Sequence, residues 1–117
     1  EQGAKAVTLE INGISLVETQ KSTTVTIHMP GLTAASKLQF NARSVATAGK
    51  KWIVLSLSPA VSKVVEPVRF DSASIGKVVI EQNKKNNGSV LIKIENLKSA
   101  KFKTQKNDKS LAITLAH

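Results

Sequence analysis

The feature that most constrains the fold of this chain is a pattern of alternating apolar and polar residues that occurs twice along the sequence. Four short segments in the first half have the alternating, β-branched pattern of strands, and four segments in the second half repeat their order. The first set comprises residues 15–20, 24–27, 37–40 and 53–57, and the second comprises residues 78–82, 90–94, 99–102 and 111–115. Since one small meander is not stable alone, we predict an all-β sandwich of two three-stranded antiparallel sheets, one from each half.

Each half also contains a single Phe in its third segment, Phe40 in the first and Phe102 in the second. We expect the two rings to occupy equivalent core positions of an approximate internal repeat. If Phe102 is fully buried, its truncation to Ala would cost about 3–5 kcal/mol. Residues 7–11 form a predicted extra edge strand, and the strongest turn signals are Asn87-Gly88 and Asn107-Asp108. A further turn is predicted at residues 48–50.

The join between the halves, residues 58–76, interrupts the strand pattern. Ser58 followed by Pro59 is typical of a helix N-cap and first turn, and Pro67 would end the helix. The apolar residues that would share one helical face are Ala60, Val61, Val64 and Val65. We therefore predict a short connecting helix that closes one end of the sandwich, with a buried loop as the alternative.

The length of 117 residues favours a single domain that covers residues 1–117. The absence of cysteine excludes disulfides, zinc-thiolate sites and thiol nucleophiles. No apolar run approaches the ~20 residues of a membrane span, so we expect a soluble domain without membrane insertion by this segment. Because the chain opens at Glu1 rather than Met, we expect a processed product or a part of a longer protein.

The charge balance favours an anionic partner. Seventeen basic residues against eight acidic ones give a formal net charge of +9 and a pI near 10.1. Most of the basic residues are Lys, which binds as a hydrated point charge, whereas Arg is the usual choice for bidentate phosphate recognition. The composition therefore predicts a diffuse electrostatic attraction more than a built phosphate pocket.

Strand parity selects candidate contacts for such a partner. Lys93, Lys101 and Lys103 oppose the apolar positions of their segments, so we expect them to share the outward face of the second sheet as a basic patch. The alternative is a solvated face that discourages edge aggregation. Lys84 and Lys85 form a basic hairpin loop that either docks on a polyanion or is an ordinary polar turn.

Trp52 is the only tryptophan, and it follows two lysines. It opposes Ile53 in strand parity, so it either stacks on a sugar ring at the surface or covers an edge of the sandwich. For metal or catalysis the sequence offers only isolated groups. His28 and His117 have no neighbouring ligand cluster, and Asp71 with Ser72 reads as a turn without a nucleophile elbow. We expect no enzyme, no metal and no cofactor.

These elements together resemble the AMIN domain of bacterial cell-envelope proteins. The resemblance extends from about Val7 to Leu115, and its best portion begins at Val68-Arg69-Phe70-Asp71. That portion continues through residues 76–82, 88–94, 100–103 and 109–115. Many family members carry a central strand resembling Asn-Pro-x-Arg-Leu-Val-Ile-Asp-Leu, whereas residues 49–57 here lack the Pro, the Arg and the Asp.

The resemblance implies a non-catalytic, periplasmic module that binds peptidoglycan. It implies as parent a type IV pilus or related outer-membrane secretin, or alternatively a periplasmic cell-wall amidase, whose hydrolase would lie beyond His117. Envelope proteins associated with a secretin are further expected partners. The other classes are a protein-docking module that uses a free sheet edge and a nucleic-acid binder. Because the chain has few aromatic residues for base stacking, we expect nucleic-acid binding to be weak, non-specific and salt-sensitive.

Overall fold

The computed structural model describes residues 9–32, 38–64, 66–70, 72–83, 88–98 and 100–116. Within these ranges the chain forms eleven β-strands and no helix. In chain order they are β1 (Leu9–Ile11), β2 (Gly13–Glu18), β3 (Ser22–His28), β4 (Gln39–Thr47), β5 (Lys50–Ser58), β6 (Ala60–Ser62), β7 (Val68–Arg69), β8 (Ile75–Asn83), β9 (Ser89–Asn96), β10 (Phe102–Asn107) and β11 (Ser110–Ala116).

The strands form two main sheets and one small pair. A four-stranded sheet has the order β10-β11-β3-β2, and a five-stranded sheet has the order β4-β5-β9-β8-β7. Neighbouring strands in both sheets are antiparallel, whereas β1 and β6 form a separate parallel pair. The predicted all-β, sandwich-like architecture is confirmed, and the prediction of two three-stranded sheets is wrong.

The two halves divide differently from the prediction, since each half gives one hairpin to each main sheet. The hairpins β2–β3 and β10–β11 form the four-stranded sheet, and β4–β5 and β8–β9 form most of the five-stranded one. In the five-stranded sheet, β5 from the first half pairs with β9 from the second half. In the four-stranded sheet, β11 from the second half pairs with β3 from the first half. Leu55 lies opposite Ile92 in one sheet, and Ile113 lies opposite Val25 in the other. Pairing across the halves leaves no inner strand edge unsatisfied.

The two Phe residues occupy matching register positions in this arrangement. Phe40 on β4 lies opposite Leu57, and Phe102 on β10 lies opposite Leu115. Both rings pack against the core from an outermost strand, so both are half-buried. The predicted equivalence of the two positions is therefore confirmed, while full burial is not, because an edge strand has a neighbour on one side only.

One core lies between the main sheets. Alternate residues of the central strands point into it, so the burial of β9 and β11 alternates along their length. The largest fully buried side chains are Ile11, Ile27, Met29, Leu32, Ile53, Leu55, Leu57, Ile75, Ile92, Ile94, Leu111 and Ile113. At an average of roughly 1.5–3 kcal/mol for each such side chain, this burial is the main stabilising term.

The predicted helix after Ser58 is a strand. Pro59 follows a cis peptide bond, and β6 pairs in parallel with β1, opposing Ala60 to Leu9. The N–H of Lys63 donates to the carbonyl of Ile11 (2.9 Å), and the N–H of Ala60 donates to that of Gly88 (3.2 Å). These partners from distant parts of the chain satisfy the backbone N–H groups of Ala60 and Lys63 in an extended conformation, so they override the local helix signal.

Several predicted turns lie where the sequence places them. Ala48 and Gly49 both have positive φ in a two-residue turn between β4 and β5, and Lys109 has positive φ between β10 and β11. Gly88 also has positive φ, as expected for the Asn87-Gly88 signal, although residues 84–87 lie outside the described ranges. In the described part of the chain, no helix has the length and apolar character needed to cross a membrane.

Candidate functional site

A hollow on the outward face of the five-stranded sheet brings two of the predicted contact residues together. Along β5, Ile53 and Leu55 point into the core, so Trp52 and Val54 point outwards. Lys93 on β9 lies opposite Val54, and Val79 on β8 lies opposite Lys93. The hollow has a volume of about 320 Å³, and we call it the Trp52 hollow. Its lining residues are Val45, Thr47, Trp52, Val54, Val79, Glu81 and Lys93.

The floor of the Trp52 hollow is apolar. Val54 is only 5% exposed although it belongs to the outward face, and Val45 and Val79 are half-buried. The indole of Trp52 is also half-buried, so one part of the ring is held by its neighbours while another part stays accessible. A fixed aromatic ring beside an apolar floor is suited to the C–H face of a sugar or to another flat apolar group.

An ion pair lies at the rim of the hollow. The Nζ of Lys93 is 2.7 Å from Oε2 of Glu81. Glu81 follows Val79 by two residues on β8, so both side chains lie on the same face of the sheet. Both side chains remain partly exposed, at 38% for Lys93 and 53% for Glu81. The pair therefore presents a cationic donor and an anionic acceptor side by side, within reach of a ligand that rests on Trp52.

A second carboxylate supports the other side of Trp52. Glu95 lies opposite Trp52, accepts a hydrogen bond from the backbone N–H of Lys77 (3.2 Å) and pairs with the Nζ of Lys50 (3.3 Å). Partial burial raises the pKa of Glu95, but the Lys77 hydrogen bond and the Lys50 charge outweigh it, so the pKa lies below its ordinary value. A Cβ at Gly76 would overlap Oε1 of Glu95, so a larger residue there would displace this carboxylate.

The other predicted lysines lie elsewhere. Lys103 is on β10, and Lys101 immediately precedes that strand, so both belong to the four-stranded sheet while Lys93 belongs to the five-stranded one. The predicted patch of three lysines on one face is therefore wrong. The turn after β9 does not form a hairpin with β10, because it carries the chain from one sheet to the other. Lys84 and Lys85 lie outside the described residues.

Lys101 and Lys103 form a smaller pair of their own. They are two residues apart at the start of an extended strand, so they point to the same side, and both are exposed. Neither has an ion-pair partner within the part of the chain that the structure describes. The outward face of the four-stranded sheet therefore carries unneutralised positive charge at the β10 edge.

Two of the groups considered for catalysis or metal binding, His28 and Ser72, have structural partners, whereas Asp71 and His117 lie outside the described residues. His28 Nε2 lies 2.8 Å from Ser15 Oγ on the exposed face of the four-stranded sheet. Ser72 Oγ accepts hydrogen bonds from the N–H groups of Ser74 (3.0 Å) and Ile75 (3.2 Å) and donates one to Glu18 (2.8 Å). Ser72 thus organises a turn, as predicted. Among the described residues, no group of three His, Asp or Glu side chains is close enough to hold a metal ion.

Sequence reasoning selected Trp52 and Lys93 but missed the remaining lining residues. Alternation along β8 does indicate that Val79 and Glu81 face away from Ile80, so the sheet face of these side chains could be predicted from the sequence. The sequence pattern could not predict that β8 lies beside β9 and that β9 lies beside β5. Comparison of the chain with protein families, curated proteins and solved structures gave no match.

Proposed function

We propose that this domain is a non-catalytic module that binds peptidoglycan through the Trp52 hollow. The observation that carries the proposal is the half-buried indole of Trp52 over an apolar floor, with the Lys93–Glu81 ion pair at the rim. The AMIN resemblance supports the same function, and the formal net charge of +9 would attract a wall whose peptides carry carboxylates.

Each part of the hollow has a counterpart in a peptidoglycan strand. The accessible part of Trp52 would stack on the apolar face of an amino sugar. Lys93 would donate to a carboxylate of the lactyl group or stem peptide, and Glu81 would accept from a hydroxyl or amide N–H. Because Lys93 and Glu81 already pair with each other, they are held in position before the ligand arrives.

The proposed role is targeting within the bacterial periplasm. In an outer-membrane secretin of a type IV pilus or related system, the domain would anchor and align the channel in the cell wall. In a cell-wall amidase, it would bring a separate hydrolase domain to its substrate. Both roles require binding without hydrolysis by this domain, so they share the same test.

Cosedimentation with purified peptidoglycan sacculi tests the proposal. At low salt the wild-type domain should sediment with the sacculi and release no soluble fragments. Trp52→Ala should weaken binding by about tenfold, which corresponds to the ~1.4 kcal/mol expected for the loss of one stacking platform. Wild-type domain that stays in the supernatant, or that solubilises the wall, would contradict the proposal.

Matched charge variants separate the hollow from bulk electrostatics. Lys93→Gln and Lys103→Gln remove the same charge from opposite sheets. If the hollow binds the wall, Lys93→Gln should weaken binding clearly more than Lys103→Gln. Equal losses would mean that only net charge matters, and the Trp52 hollow should then be abandoned as the site.

The exposed pair Lys101 and Lys103 favours a second, weaker activity. Two unneutralised cations on one sheet edge would add to a non-specific attraction for nucleic acid and other polyanions. Binding of DNA should ignore sequence, fall steeply with salt and decrease in the double variant K101Q/K103Q. A sequence-selective complex that persists at high salt would contradict this assignment.

A further inference from the structure

The outer edge of β4 is a long strand edge that none of the described strands covers. β4 has nine residues, pairs with β5 on one side and is the last strand of its sheet on the other. No strand in the described part of the chain pairs with its free side. Such an edge presents a row of unsatisfied N–H and C=O groups, and it is a template for an added strand.

The other sheet edges are less suited to strand addition. β7 has two residues, and β10 has six residues, two of them lysines. At the end of β2, Glu18 accepts a hydrogen bond from Ser72 (2.8 Å), so the segment that precedes β8 contacts this edge strand. β4 contains no proline or glycine, and Arg43 is its only charged residue. The devices that usually protect an edge are therefore nearly absent from β4.

The hairpin geometry identifies the free backbone groups. Ala48 and Gly49 both have positive φ, so the turn is of type I′, and the flanking pair of Thr47 and Lys50 is hydrogen-bonded. Since hydrogen-bonded and non-bonded pairs alternate along an antiparallel ladder, the next free positions on β4 are Ala46, Ser44 and Ala42. Their N–H and C=O groups point away from β5.

The side chains of β4 indicate the chemistry of the occupant. On the core side, Phe40 and Ala42 are only half-buried, so apolar residues of an added strand would extend the core over them. On the outward side, Arg43 is exposed, and its own strand carries no acidic residue to pair with it. An added strand with apolar residues on one face and acidic residues on the other would satisfy both sides.

A second copy of this chain is a poorer occupant. Antiparallel pairing of two β4 strands about their midpoint would place Arg43 opposite Arg43, and like charges directly opposite each other are destabilising. Two molecules that each carry a formal net charge of +9 also repel each other before the edges meet. Charge complementarity therefore favours an acidic partner.

We propose that the free edge of β4 binds an extended, acidic segment of a partner protein by antiparallel strand addition. The segment alternates apolar residues, which cover Phe40 and Ala42, with acidic residues beside Arg43. Main-chain hydrogen bonds to Ala42, Ser44 and Ala46 supply most of the affinity. An added strand would bind the free backbone edge of β4, whereas β4 contributes to the Trp52 hollow only through the outward side chains of Val45 and Thr47, so peptide binding and peptidoglycan binding can be tested separately.

Fluorescence anisotropy with a labelled, blocked nine-residue peptide of alternating Val and Glu tests the proposal. The wild-type domain should bind this peptide more tightly than one in which Lys replaces every Glu. Ser44→Pro removes one outward N–H and should weaken binding by about tenfold. Thr104→Pro removes a backbone N–H that points away from β11 at an exposed position of the β10 edge, and it should leave the affinity within about twofold.

A charge exchange and a backbone readout complete the test. Arg43→Glu should weaken binding of the Glu peptide by about two- to fivefold and improve binding of the Lys peptide. In wild-type protein, the Glu peptide should slow hydrogen exchange at Ala42, Ser44 and Ala46, which decides the matter even if Ser44→Pro does not fold. Equal affinity for the two peptides, protection elsewhere in the domain, or a dimer that Ser44→Pro dissociates would overturn the proposal.

Discussion

Replacement of Gly88 by Ala should destabilise the domain more than any other glycine-to-alanine change at a positive φ. Gly88 has a φ of 87°, and a Cβ built there would lie 2.8 Å from the carbonyl oxygen of Ala60. That oxygen cannot move freely, because the N–H of Ala60 donates to the carbonyl of Gly88 and β6 is paired with β1. The positive φ and the backbone overlap together should cost about 2–4 kcal/mol.

Substitutions at two other glycines separate the cost of the positive φ from the cost of the contact with the Ala60 carbonyl oxygen. Gly49 has a φ of 77° but would place its Cβ in open space, so Gly49→Ala should cost only the ~1–2 kcal/mol of the backbone conformation. Gly13 has neither a positive φ nor a neighbour within 4 Å, and Gly13→Ala should be neutral or stabilising by up to ~1 kcal/mol. Urea unfolding of the three variants, at unchanged m-value, measures the series. Equal costs for Gly88→Ala and Gly49→Ala would refute the argument from the Ala60 contact.

Two further predictions concern acid stability and the internal repeat. Since the folded pKa of Glu95 is lowered, its contribution to stability is present above its ordinary pKa of 4.5 and is lost as the pH falls through the folded value. Urea unfolding from pH 7 down to pH 3 should therefore show a larger loss for the wild type than for Glu95→Gln, and parallel curves would contradict this. Phe40→Ala and Phe102→Ala should cost similar amounts, each below the ~3–5 kcal/mol of a fully buried ring, because both rings pack from edge strands. Markedly unequal costs in the same unfolding assay would argue against the equivalence of the two positions.

The sequence by itself determined most strands of the two main sheets and the buried face of each, although the predicted segments 37–40 and 99–102 overlap only the beginnings of β4 and β10. Alternation around Ile92 and Ile113 reports directly on whether a side chain enters the core, because successive residues of a strand point to opposite faces. Gly49 likewise indicates the turn after β4, because glycine adopts a positive φ at little cost, whereas Ala48 adopts a positive φ against its local preference. The same alternation predicts that the side chains of Trp52 and Lys93 lie on outward faces of their strands.

Only the tertiary structure decided which strands are neighbours. The hairpins of the two halves have equivalent apolar faces, so local pattern is compatible with pairing inside a half or between halves. Pairing between halves joins β5 to β9 and β3 to β11, and it thereby brings Trp52 next to Lys93 while it separates Lys93 from Lys103. Tertiary contacts also made the segment after Ser58 the strand β6 and not a helix, because β1 supplies hydrogen-bond partners that are remote in sequence. A strand's partner depends on the packing of all the strands together, and alternation along one segment carries no information about it.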